Sequence, residues 1–289
     1  MSNNNYFVPH STRWPMVGCL ALFFMAIGLV NILHGEHWGP YILLAGIILL
    51  TIMLFGWFGT VIDEGLQGLH SPLMDKSYRW GMVWFIVSEI AFFGIFFMAL
   101  FYIRMFVVPE LGGHWGYPET HTVLWPEFKS AWPLLVTPNP AAFPSIKEVI
   151  PVFGIPALNT FLLLSSAVAV TWSHWGLLKN RRSQMLMGLI LTIVLGLIFL
   201  SCQAFEYGEA YRQYNLTLKS GVYGTTFFML TGFHALHVTV GLMMLSVVLV
   251  RCIKGHFLPE HHFAFEAVSW YWHFVDVVWL FLFVLVYWL

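Results

Sequence analysis

The sequence predicts an all-α integral membrane protein with seven transmembrane helices, and three observations lead there. Of 289 residues, 59% are hydrophobic and 9% charged, and the mean hydropathy is +0.76, more apolar surface than a soluble fold of this length buries. The apolar residues gather into seven runs, each near or above the about 20 residues a helix needs to cross a hydrocarbon core of roughly 30 Å. Between the runs lie polar or turn-forming connections, only one of them long.

The first run, 15–33, follows a polar stretch, Met1 to Pro15, whose one basic residue is Arg13. It outlasts the apolar core of a signal peptide and has no convincing A-x-A cleavage site, so this helix is expected to be retained. The second and third runs are 40–60 and 80–106, with Asp63, Glu64, His70, Lys76 and Arg79 between them. The long connection, from about Val107 to Ile150, contains Pro109, Pro118, Pro126, Pro133, Pro138, Pro140 and Pro144. Such a stretch cannot stay helical and is expected to form an irregular outer loop on the membrane surface or on a partner. The remaining runs are 151–176, 184–208, 222–252 and 265–289. Several exceed the minimum length, which leaves room for tilt.

Seven crossings put the termini on opposite sides. With the N-terminus inside, the inner face receives Arg13, Lys76, Arg79, Lys179, Arg181, Arg182, Arg251 and Lys254, and the outer face Arg104, Lys129, Lys147, Arg212 and Lys219. Lys179, Arg181 and Arg182, in a very short loop, carry most of that bias, because short loops follow the positive-inside rule best.

Several function classes drop out. A net charge of -1 without a long basic run excludes the electrostatic footprint of a nucleic-acid binder. Cys19, Cys202 and Cys252 are far apart and form no C-x-x-C or C-x-x-C-H, which argues against disulfides, iron-sulfur clusters and covalent haem. The Walker signature, the dinucleotide fingerprint and the nucleophile elbow are absent.

What remains is polar residues inside apolar spans. Glu89 sits near the middle of the third run, where an ionised carboxylate costs on the order of 3 kcal/mol or more. It is either a neutral group hydrogen-bonded to a neighbouring helix or a functional carboxylate. Asp276 in the last run poses the same question, with His273 three residues earlier on the same face as a candidate partner. His234 and His237 in the sixth run, with His273, are either hydrogen-bonding residues between helices or inward-facing ligands of haem or copper. Near the inner surface, Trp57, Asp63, Glu64 and His70 on one side and Arg251, Lys254 and His256 on the other suit either lipid head groups or ordinary membrane anchoring. Gly81, Ser165, Ser166, Gly232 and Gly241 are small enough to let helices pack closely.

Four stretches carry a resemblance: FIVSEIAFFGIFF at 85–97, LNTFLLLSSAVAVTWSHW at 158–175, TGFHALHV at 231–238, and HHFAFEAVSWYWHFVDVVWLFLFVLVYWL from 261 to the C-terminus. In this order, and with seven helices, they resemble subunit III of the haem-copper cytochrome c oxidases. The resemblance implies a two-helix bundle and a five-helix bundle around a lipid-filled cleft, divided here as 1–70 and 71–289. It implies a subunit with no haem, copper or catalytic centre of its own, packed on the catalytic subunit I and other oxidase subunits within a complex that takes electrons from cytochrome c, reduces oxygen and pumps protons. Carried over by position, Trp57, Glu64, His70, Arg251, Lys254 and His256 become phospholipid contacts, and Glu89 a support for proton uptake and turnover stability. His234, His237, His273 and Asp276 become structural polar residues. Where the family commonly reads W-W-R-D-V-x-x-E-G, this chain has Trp57, Phe58, Gly59, Thr60, Val61, Ile62, Asp63, Glu64 and Gly65, so the Arg-Asp pair is missing. The long loop suggests a bacterial chain, hence an inner (cytoplasmic) membrane with the N-terminus cytoplasmic and the C-terminus periplasmic. Two alternatives stand beside this reading: a self-contained haem-binding quinol oxidoreductase using His234, His237 and His273, and subunit III of a quinol oxidase.

Overall fold

The computed structural model describes residues 12–114, 116 and 119–289, so most of the polar stretch ahead of the first helix lies outside the described residues. Seven helices are long and apolar enough to cross a membrane: α1 Trp14–Leu33, α2 Gly39–Leu66, α3 Pro72–Leu111, α4 Ile155–Leu178, α5 Arg182–Arg212, α6 Val222–Ile253 and α7 Phe263–Trp288. Among the described residues there is no strand beyond one isolated bridge, between Leu258 and His261. Proline stands at the first or second position of α1, α2 and α4 and opens α3, where its missing N–H would have no helical partner anyway.

Two compact units divide the chain, one ending at Trp80 and the other spanning Gly81–Leu289. In the first, α1 and α2 pack as an antiparallel hairpin whose contact is made by small residues. A Cβ on Gly46 would sit 2.7 Å from the Met25 nitrogen and 2.9 Å from the Ala21 carbonyl, so the two backbones meet where glycine removes the side chain. Trp14 Nε1 donates to Thr60 Oγ1 at 3.3 Å near the open end of the hairpin.

In the second unit, α4 and α5 turn back on each other through Lys179, Asn180 and Arg181. Asn180 takes a left-handed conformation (φ +52°), and the Arg181 N–H donates to the Gly176 carbonyl at 2.7 Å, closing the end of α4. Against this hairpin lies α7. Its Trp272 and Trp279 are fully buried and donate through Nε1 to Ser166 Oγ and Thr160 Oγ1 of α4, each at 2.9 Å. Gly241 of α6 and Gly196 of α5 admit the Trp272 ring, since a Cβ at either would lie 2.9 Å from ring atoms. Gly81, by contrast, has nothing within 4 Å of its Cβ direction.

The long connection departs from expectation in two ways. The third helix does not stop near residue 106: a π-helical turn at Ile103–Val107 is followed by a last α-turn, Val108–Leu111. The wide turn changes the hydrogen-bond register just ahead of Pro109, whose ring would otherwise clash with the preceding turn and whose missing N–H would leave a carbonyl there unpaired. Nor is the loop confined to a membrane surface or a partner, because it packs on its own unit. Phe128, Leu134, Ile146 and Ile150 are buried, the Lys147 N–H donates to the Tyr214 carbonyl at 2.9 Å, and Asn215 Nδ2 donates to the Ser145 carbonyl at 2.9 Å. Trp132 packs edge-on against Tyr223, with the Arg104 guanidinium 5.9 Å from its ring centre.

Candidate functional site

Glu89 and His237 meet inside the second unit. Glu89, on α3, brings Oε2 to 2.9 Å from His237 Nε2 on α6, with side chains 20% and 13% exposed. The other ring nitrogen, Nδ1, lies 2.6 Å from the Phe233 carbonyl one turn back. A carbonyl only accepts, so Nδ1 carries a proton. Two states then satisfy the Nε2 contact: a protonated Glu89 donating to a neutral imidazole, or an ionised Glu89 accepting from an imidazolium. They differ by the position of one proton and share a net charge of zero. That neutrality lets a carboxyl exist at this depth, where a lone ionised one is costly. Phe93 meets the imidazole edge-on at 4.9 Å, Tyr271 stacks at 6.5 Å, and Phe92 lies at 5.9 Å, forming an aromatic wall around the pair.

His234, His237 and His273 face different neighbours. His234 is buried with no hydrogen-bond partner on either nitrogen, its ring 5.3 Å from Trp279 and 5.9 Å from Phe199, so it does not bond between helices. His273 Nε2 lies 3.2 Å from Thr171 Oγ1 on α4 rather than on Asp276, whose Oδ1 is buried and unpartnered. The expected Asp-His pair on α7 is therefore not formed: the ring is turned to a hydroxyl on the adjacent helix. Among the described residues no three His, Cys, Asp or Glu side chains form a group able to hold a metal ion.

The lipid candidates fall into two groups, one in each unit. In the first, Trp57 is exposed and Glu64 Oε2 stands 3.9 Å from His70 Nε2, with the His70 ring edge-on to Tyr78. In the second, the Arg251 guanidinium lies 4.4 Å from the Phe257 ring centre, Lys254 is exposed just past the end of α6, and the His256 N–H donates to the Arg251 carbonyl. Arg182, from the start of α5, donates to the Ile253 carbonyl at 2.7 Å and ties down the end of α6. The basic residues thus converge on one end of the second unit.

Sequence reasoning passed over a second carboxyl. Glu206 of α5 is 2% exposed and accepts from Tyr287 OH at 2.6 Å and Gln203 Nε2 at 3.1 Å, and Asn159 Nδ2 donates to Gln203 Oε1 at 3.3 Å. The rule that singles out Glu89 applies equally to Glu206, which falls within the expected 184–208 span. Gln203, three residues earlier on the same helix, is the local signal available, whereas Tyr287 reaches Glu206 from α7 with no spacing to announce it.

The architecture and its internal carboxyl–imidazole pair define a multi-pass helical membrane protein with ionisable groups held between helices. Matching against protein families identifies one: the description "Cytochrome c oxidase subunit III" fits residues 4–138 and 122–289. Proteins named "Cytochrome c oxidase subunit 3" are 42% identical in Formosania lacustris, 40% in Pan troglodytes and 42% in Cyprinus carpio, each covering 98% of this chain and 96% of the relative. The chain belongs to the cytochrome c oxidase subunit III family. The bacterial origin expected from the loop is not borne out, since these relatives are fishes and a mammal.

Proposed function

We propose that this chain is a supporting subunit of a proton-pumping cytochrome c oxidase, packing on the catalytic subunit I, with haem and copper residing in partner subunits and cytochrome c as electron donor. Within that complex Glu89 supports proton uptake and sustained turnover. The observation that carries this is the 2.9 Å contact between Glu89 Oε2 and His237 Nε2, which can relocate one proton without creating net charge inside the membrane. The phospholipid contacts are Trp57, Glu64 and His70 in the first unit and Arg251, Lys254 and His256 in the second. The end carrying Lys179, Arg181 and Arg182 faces the cytoplasm or its equivalent compartment, as the positive-inside rule directs.

Purification through a tag on this chain, with the visible spectrum recorded before and after dissociation, tests the assignment of cofactors. Haem that stays with a larger partner while this chain becomes colourless supports it. Haem retained by the isolated chain would instead make the histidines ligands and return the quinol oxidoreductase alternative. Turnover of the complex carrying Glu89→Gln tests the carboxyl: intact assembly with a modest change in sustained turnover is expected, whereas loss of assembly marks Glu89 as a packing residue.

A further inference from the structure

The Asn159, Gln203, Glu206 and Tyr287 network has a polarity that can be read atom by atom. Gln203 Nε2 points to Glu206 Oε1, so Gln203 Oε1 is the acceptor that faces Asn159. Asn159 must then present Nδ2 to it, leaving Asn159 Oδ1 as an acceptor with no partner. Glu206 Oε1 already accepts from Tyr287 OH at 2.6 Å and from Gln203, while Glu206 Oε2 is buried with no partner. Two buried oxygens thus remain unsatisfied within one connected cluster. Each carries the desolvation cost of a hydrogen bond not made. The donors that reach the carboxyl, Tyr287 and Gln203, are both neutral, so no basic partner like the imidazole beside Glu89 is there to offset a charge.

We propose that Glu206 is held as a neutral carboxylic acid and that its Oε2–H, together with Asn159 Oδ1, binds one internal water molecule. The water accepts from Glu206 Oε2–H and donates to Asn159 Oδ1, which satisfies both orphaned atoms with the two bonds a buried water needs at minimum. The placement suits entry of water. Glu206 lies six residues before the end of α5, about 9 Å along the axis at 1.5 Å per residue. Asn159 is in the second turn of α4, and Tyr287 is in the π-helical turn that ends α7. All three therefore stand at the end of the unit on which the long loop packs. The site would hold an exchangeable proton in a position independent of the Glu89–His237 pair.

Infrared spectroscopy of the purified complex tests this. The expected result is a carbonyl-stretch band of a protonated carboxyl at neutral pH that shifts in D2O and disappears in Glu206→Gln, a substitution that keeps an acceptor for Tyr287 OH. Asn159→Leu is expected to retain the band and move its position, because the water loses its second anchor. A difference spectrum between the parent complex and Glu206→Gln with no protonated-carboxyl band overturns the neutral acid. A band indifferent to Asn159→Leu overturns the shared water. Should Asn159→Leu fail to assemble, a density map of the parent complex resolving ordered waters decides: density bonded to both Glu206 Oε2 and Asn159 Oδ1 supports the site, and none there overturns it.

Discussion

Glu89 and His237 illustrate how one residue's surroundings set what another can do. The Phe233 carbonyl fixes the imidazole tautomer at Nδ1, and this leaves Nε2 to share a proton with Glu89. In Glu89→Gln the amide can donate to a neutral Nε2, so the helix contact survives while the mobile proton is lost. His237→Phe is a harsher change: it leaves Glu89 without its partner, at a cost of about 1–3 kcal/mol, and a lower thermal midpoint of the purified complex is expected than for Glu89→Gln. Equal midpoints would count against the pair as a stabilising contact. Glu89 itself is legible in the sequence as a charge within an apolar run. His237 as its partner is not, because its i, i+3 relation to His234 suggests a joint role, whereas the two rings face an acidic and an aromatic neighbour respectively.

At the scale of elements, helix contacts depend on glycines opposite backbone or indole. Gly46→Leu is expected to force α1 and α2 apart, exceeding the about 1–3 kcal/mol typical of an overpacked core, since the obstacle is the Met25 and Ala21 backbone, which cannot rotate away. Limited proteolysis should then cleave the α1–α2 hairpin while the Gly81–Leu289 unit stays resistant. Trp272→Phe removes the indole donor to Ser166 and leaves unfilled volume beside Gly196 and Gly241, for a loss of about 1–3 kcal/mol readable in thermal unfolding. The seven spans are legible in the apolar runs, and the ends are less so. The second helix continues to Leu66 and the third begins at Pro72, because polar residues at head-group depth remain helical once backbone bonding has begun. Continuation through Pro109 depends on a π-helical turn that no apolar pattern announces.

For the whole molecule, charge placement and lipid binding can be examined together. Arg251→Ala combined with Lys254→Ala is expected to reduce the phospholipid that co-purifies with the complex, and unchanged lipid content would sink the assignment of that end as a head-group site. Sidedness has its own readout. Cysteine introduced at Lys219 (Lys219→Cys) is expected to react with an impermeant thiol reagent added outside intact cells or organelles, and at Lys179 (Lys179→Cys) only after the membrane is opened. The reverse pattern would invert the topology. The expected orientation rests on the basic turn between α4 and α5, which the positive-inside rule keeps on the inner face.

The loop between α3 and α4 also has a history imposed by its anchors. Ser145 accepts from Asn215, which the ribosome adds 70 residues later, after two further helices have been made. At about 5–20 residues per second the wait is roughly 4–14 s. Throughout that interval the backbone anchors that Tyr214 and Asn215 give to Lys147 and Ser145 cannot form. The loop ahead of α4 is therefore tied down at Lys147 and Ser145 only by chain made after α5, so the order of synthesis sets the order in which this segment is fastened.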